Sequence, residues 1–252
     1  MKVLNSINNA IDKKGACYLV LIDPDKISGE KLGEFAAYCS KSGVDGFLIG
    51  GSLMINGDLS RSIDIIKQNS NLPTIIFPGS VSQVTPNADA LLFISLVSGR
   101  NAEQLIGHHV MAAPIIKKYN IEPISTGYIL IESGKSTTVE YISSSKPIPR
   151  HKPEIAAATA LAAEYIGMKM IYLEAGSGAD SSVPDETVKL VSSVCSVPVI
   201  VGGGLRNCSE ISRKVENGAK VIVTGNYFED ENNLGKIKEF ADAVHFKTGI
   251  FV

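Results

Sequence analysis

Ile171-Tyr172-Leu173-Glu174-Ala175-Gly176-Ser177-Gly178 starts as an apolar run, passes one carboxylate and ends in a glycine-serine turn. The apolar run reads as a buried strand. A strand interior would not hold Glu174 without a partner, because an unpaired buried charge is costly. At a strand's end, ahead of Gly-Ser-Gly, the carboxylate belongs to a site. Glycines let backbone N–H groups come close to a ligand, and Ser177 adds a hydroxyl. Two later stretches repeat the form: Val199-Ile200-Val201 runs into Gly202-Gly203-Gly204, and Val221-Ile222-Val223-Thr224 runs into Gly225-Asn226. Three such ends converge only if the strands are parallel neighbours.

Outward from this stretch, apolar runs alternate with helical patterns along the whole chain. Strands are predicted at 18–22, 46–49, 74–77, 90–94, 123–131, 170–174, 198–201 and 220–224. Most are continuously apolar, as strands buried on both faces and therefore parallel must be. Eight of them in 252 residues predict a single (β/α)₈ TIM barrel over 1–252, close to the ordinary length of that α/β architecture. Helix punctuation agrees. Asn101 with Gln104 and Asn207 with Glu210 have capping-box spacing, Pro153 and Pro184 suit first turns, and Gly43, Gly167 and Gly218 suit helix ends. After the third strand, residues 78–87 are too broken for a good helix, so the third outer helix is expected to be irregular or missing. Residues 133–152 are expected to form a long irregular loop on the βα face, a lid over a ligand.

The chain is 44% hydrophobic and 20% charged with a net charge of -2, so nothing points to nucleic acid. No apolar run approaches a membrane span and the start lacks a signal-peptide pattern. The four scattered cysteines suit a reducing cytoplasm and not a zinc site.

Turns after strands seven and eight of a barrel are its usual phosphate site, which singles out Gly203, Gly204, Gly225 and Asn226. In Leu21-Ile22-Asp23-Pro24-Asp25-Lys26 two carboxylates flank a proline at the end of the first strand. Such oxygen ligands suit Mg²⁺, and Asp-Pro-Asp is equally good turn chemistry. Gly50-Gly51-Ser52 ends the neighbouring strand, where its hydroxyl could join Asp23 around one metal. His108, His109, His151 and His245 lack metal-ligand spacing and read as surface or helix residues. Gly134-Lys135-Ser136 lacks the upstream glycine of a phosphate-binding Walker motif.

Leu21–Lys26, Gly50-Gly51-Ser52, Pro147-Ile148-Pro149, Tyr172–Gly178, Gly202–Gly204 and Gly225-Asn226 together resemble the geranylgeranylglyceryl phosphate synthase family, which includes the heptaprenylglyceryl phosphate synthases. The resemblance runs from the first strand to the last. It implies a cytoplasmic transferase that joins the C3 hydroxyl of sn-glycerol 1-phosphate to C1 of a polyprenyl diphosphate such as geranylgeranyl diphosphate. Diphosphate is released in this first ether-bond step of archaeal-type phospholipid synthesis. It also implies Mg²⁺ on Asp23 and Ser52. Glycerol 1-phosphate would lie on Tyr172, Leu173, Glu174, Ala175, Gly176, Ser177, Gly178, Gly203, Gly204, Gly225 and Asn226, with Glu174 taking the proton from the attacking hydroxyl. A homo-oligomer and at most peripheral membrane contact are implied too. The prenyl tail would need an apolar groove, and the gap at the third helix would provide one. Leu21 stands where archaeal members often carry a lysine, as in a second branch with bacterial members. A thiamin-phosphate-synthase-like barrel transferase and a non-catalytic sensor of a phosphorylated ligand remain alternative readings.

Overall fold

The computed structural model describes residues 1–245; residues 246–252 of the expected barrel domain lie outside the described residues. The eight strands are β1 (Cys17–Ile22), β2 (Gly46–Ile49), β3 (Thr74–Ile76), β4 (Ala90–Leu96), β5 (Glu122–Leu130), β6 (Met170–Glu174), β7 (Val199–Gly202) and β8 (Val221–Thr224). They close in chain order into one parallel barrel. The closing rung sets Cys17 opposite Val221 and Val20 opposite Thr224.

Strand alternation divides the core in two. In β6, Met170 and Tyr172 point into the barrel, whereas Ile171 and Leu173 pack outward under the helices. Both faces are covered, which is why the runs are apolar throughout. Glu174 continues the inward parity and so reaches the open C-terminal mouth instead of the outer shell. The opposite end is stoppered by an unanticipated helix, α1 (Lys2–Lys14), whose Val3, Leu4 and Ile7 enter the interior cluster. Its first amides are capped from across the barrel: Glu122 accepts from Val3 N–H at 2.8 Å and from Leu4 N–H at 3.0 Å.

The outer layer holds α2 (Gly29–Lys41), α3 (Leu59–Asn69), α4 (His108–Tyr119), α6 (Pro153–Tyr165), α7 (Asp185–Val194), α8 (Cys208–Glu216) and α9 (Ile237–Val244). Between β3 and β4 only the 3₁₀ turn Val81–Gln83 forms, so the third outer helix is indeed missing. Gly43, Gly167 and Gly218 follow α2, α6 and α8 at φ 95°, 99° and 104°, a backbone that favours glycine. Asn101 and Asn207 do accept from Glu103 N–H and Glu210 N–H. The capping boxes are nevertheless half-made, because the Glu210 carboxylate is held by Ser182 Oγ and Gln104 faces the cavity described below. Pro184 sits one residue before α7, not inside its first turn.

Residues 133–152 are more regular than a plain loop. They contain α5 (Thr138–Ser143), and Ile148 returns to the barrel, donating to Leu130 O at 2.8 Å and accepting from Glu132 N–H at 2.9 Å. Two histidines are buried rather than superficial. His109 Nε2 lies 3.1 Å from Ser95 Oγ, and His245 Nε2 lies 2.8 Å from Asp45 Oδ2 near the barrel's N-terminal end. Among the described residues no helix is long and apolar enough to cross a membrane.

Candidate active site

A cavity of about 640 Å³ opens at the C-terminal mouth, lined by residues of every strand-end motif singled out above. The size suits a small-molecule site. Glu174 lies at its floor, 5% exposed. Burial pushes its pKa up to about 7. Its Oε1 accepts from Gly176 N–H at 2.6 Å, and that bond, with the nearby Tyr172 and Tyr128 hydroxyls, damps the rise. A carboxyl poised near neutral pH can accept a proton in water-excluded surroundings.

Three rings wall the carboxylate. Phe77 stacks on Tyr172 at 5.4 Å, and Tyr128 stands edge-on to both, at 5.9 and 5.2 Å. Burial first, and the Glu174 charge second, raise both tyrosine pKa values, so the phenols stay protonated. The Tyr172 hydroxyl is fully buried without a hydrogen-bond partner. It lies close enough to Glu174 to favour the carboxylate and remains a donor for an incoming oxygen. Leu173 and Ala175 are buried and support the strand end through their backbone: Ala175 N–H donates to Gly202 O at 3.1 Å.

The glycine turns converge as parallel strands require. Ser177 Oγ donates to Asn226 Oδ1 at 2.7 Å, bridging the turns after β6 and β8. Gly203, between them, has φ 81°, and a Cβ there would run into Glu174 Oε1 and the Gly176 backbone. Gly203→Ala should therefore lower both melting temperature and turnover, with strain on the order of 1–3 kcal/mol. Thermal melts and initial rates on the same preparation check this. The following helix, α8, starts at Cys208 and does not line the cavity. The amide of Glu210 in α8 is taken by Asn207, and the wall continues instead through Leu205 and Arg206.

The two carboxylates of Asp23-Pro24-Asp25 have separate fates. Asp25 accepts from Ile55 and Asn56 N–H at 2.8 Å each and from Gly57 N–H, which fixes the β2–α3 loop and lowers its pKa. It is the turn residue. Among the described residues the Asp23 carboxylate takes only Asp25 N–H, at 2.9 Å, and it faces the cavity beside Gly51 and Ser52. Among the described residues no three His, Cys, Asp or Glu side chains gather as a metal cluster. One carboxylate and one hydroxyl nevertheless suit Mg²⁺, which keeps waters and takes substrate phosphate oxygens for its other positions.

A second cavity of about 600 Å³ lies at the missing third helix and shares Ser52, Leu53, Gly79 and Ile142 with the first. Its wall mixes Leu53, Met54, Leu59 and Ile142 with Asp58, Ser80, Ser82 and Gln83, so the gap does form a partly apolar groove. A second apolar wall lies in the main cavity, formed by Phe77, Ile94, Leu96, Val139 and Ile142. Two of these come from 133–152, so that segment does cover the site. Sequence reading missed Tyr128, Phe77, Lys26, Arg206 and Glu229 as cavity residues. Lys26 was visible beside Asp23; the others needed the barrel register.

A closed parallel barrel whose C-terminal mouth holds a buried, near-neutral carboxyl beneath glycine-rich turns is a (β/α)₈-barrel enzyme. Residues 8–244 match the profile of the PcrB family, and the chain belongs to that family. A geranylgeranylglyceryl phosphate synthase of Chitinophaga pinensis is 46% identical over 241 residues, 94% of this chain and 95% of the relative. The Pyrococcus horikoshii protein of the same name is 42% identical over 252 residues, 100% of this chain and 97% of the relative. The barrel also superposes on the crystal structure of (S)-3-O-geranylgeranylglyceryl phosphate synthase from Thermoplasma acidophilum in complex with its substrate sn-glycerol-1-phosphate. The TM-score is 0.91 at 32% identity, over 98% of this chain and 99% of that one.

Proposed function

We propose that this chain joins the C3 hydroxyl of sn-glycerol 1-phosphate to C1 of a polyprenyl diphosphate, geranylgeranyl diphosphate first, and releases diphosphate. The observation that carries the reading is Glu174, a buried carboxyl with its pKa raised to about 7, set beneath three converging glycine turns. The phosphate would lie among Ser177, Gly204 and Asn226, held by backbone amides of the turns. The glycerol hydroxyls would then reach Glu174 and the unpartnered Tyr172 hydroxyl. The C3 oxygen forms a bond to C1 of the prenyl group as the bond from C1 to the diphosphate oxygen breaks. The hydroxyl proton passes to Glu174. The electron pair leaves with diphosphate toward the Asp23 side of the cavity.

Asp23 and Ser52 would hold Mg²⁺, which when bound neutralises charge on the departing diphosphate. Lys26 adds a positive charge at the same edge. The prenyl tail would lie along Phe77, Ile94, Leu96, Val139 and Ile142. The test is turnover of labelled sn-glycerol 1-phosphate with prenyl diphosphates of several lengths. An ether product that appears with Mg²⁺ and stops with chelator is expected. Binding of both substrates without product, in the presence of Mg²⁺, would turn the reading into that of a sensor.

A further inference from the structure

We propose that Glu229 is a positioning residue of the phosphate end of this cavity and acts through Asn226. The inference rests on the reading of these turns as a phosphate site. Asn226 is held at both ends of its carboxamide: Oδ1 accepts from Ser177 Oγ at 2.7 Å, and Nδ2 donates to Glu229 Oε1 at 2.9 Å. An ionised carboxylate can only accept, so it selects the NH₂ end of the amide. That choice turns the carbonyl end to Ser177. Ser177 could not enforce the orientation itself, because a hydroxyl both donates and accepts. With the amide so fixed, its second N–H is left for a phosphate oxygen. Glu229 stands on the 3₁₀ turn Asn226–Glu229 and lines the cavity, with Lys26 and Asp23 as its charged neighbours.

The plain electrostatic expectation is the opposite. A carboxylate beside an anion site repels the anion, so its removal should tighten binding. Partial desolvation raises the Glu229 pKa, but the side chain is exposed at the mouth, where water and salt screen its charge. Its bond to Asn226 is charge-assisted and directional. Orientation of the amide outweighs the screened repulsion.

The experiment titrates inorganic phosphate and sn-glycerol 1-phosphate into the full chain and into Glu229→Ala, Glu229→Gln, Asn226→Ala and the double alanine variant. Glu229→Ala should weaken both ligands about five- to tenfold, the scale of one lost hydrogen bond. Glu229→Gln, whose amide oxygen still accepts, should recover most of that loss. In the Asn226→Ala background, Glu229→Ala should add nothing to the loss of either ligand. Equal or tighter binding by Glu229→Ala overturns the proposal, as does the same loss in both backgrounds. The side-chain amide signal of Asn226 in ¹⁵N spectra gives a ligand-free check. It should shift and exchange faster with water in Glu229→Ala, and an unchanged signal also overturns the proposal. A parent chain that binds neither ligand refutes the phosphate site, while the amide signal still decides the role of Glu229.

Discussion

Replacing Glu174 by glutamine is expected to lower kcat by about 10²- to 10⁴-fold, roughly 3 to 5 kcal/mol of barrier. Glutamine keeps the shape, and its oxygen can still accept Gly176 N–H. It cannot take the proton from the attacking hydroxyl. If Glu174 only oriented glycerol 1-phosphate, KM for that substrate would rise and kcat would hardly fall. A kcat within about threefold of the parent, under 1 kcal/mol, would remove the base role. In the parent, kcat/KM should climb as pH rises through about 7, where Glu174 ionises.

Stability supplies an independent reading on the same variant. The folded-state pKa of Glu174 is raised above its unfolded value, so its stabilising contribution is complete below the unfolded pKa, near 4.5, and is lost as pH rises through about 7. The loss is on the order of 3 kcal/mol. Glu174→Gln has no such loss. Its melting temperature should therefore exceed that of the parent at pH 8, where the parent buries a charge, and the gap should close toward pH 5. A variant that melts lower than the parent at pH 8 would mark Glu174 as a structural partner instead.

Asp23→Asn should lower kcat/KM by about 10²-fold or more at low Mg²⁺ concentration, several kcal/mol of charge stabilisation at the leaving group. The substituted asparagine would keep an oxygen for Asp25 N–H, so the turn should survive and the melting temperature should stay close to the parent's. Ser52 is a neutral ligand and cannot replace the lost charge. Nor can Asp25 step in, because its two oxygens already serve Ile55, Asn56 and Gly57. Rates measured across a Mg²⁺ titration check this. Near-parent turnover at low Mg²⁺ would take the metal away from Asp23.

Which parts of this site were legible follows from the range of the interactions involved. Glu174 and the glycine turns could be read because they depend on local facts: a charge at the end of an apolar run, and backbone conformations that glycine tolerates. The missing third helix was legible for the same reason. Asp23 could be set beside Ser52, but whether Asp25 joins it could not be read, since both are good turn residues. Only the β2–α3 loop folding over Asp25 showed which one is used up.

By itself, the sequence determined the barrel, because eight doubly buried runs admit parallel neighbours and little else, and it determined that the strand ends carry the chemistry. Inward or outward direction along β5 and β6, the ring wall of Phe77, Tyr128 and Tyr172, and the placing of Glu229 on Asn226 were decided only in three dimensions. A side chain's partner across a barrel is fixed by strand register and closure, and Tyr128 meets Tyr172 from 44 residues away because β5 and β6 pair at that rung.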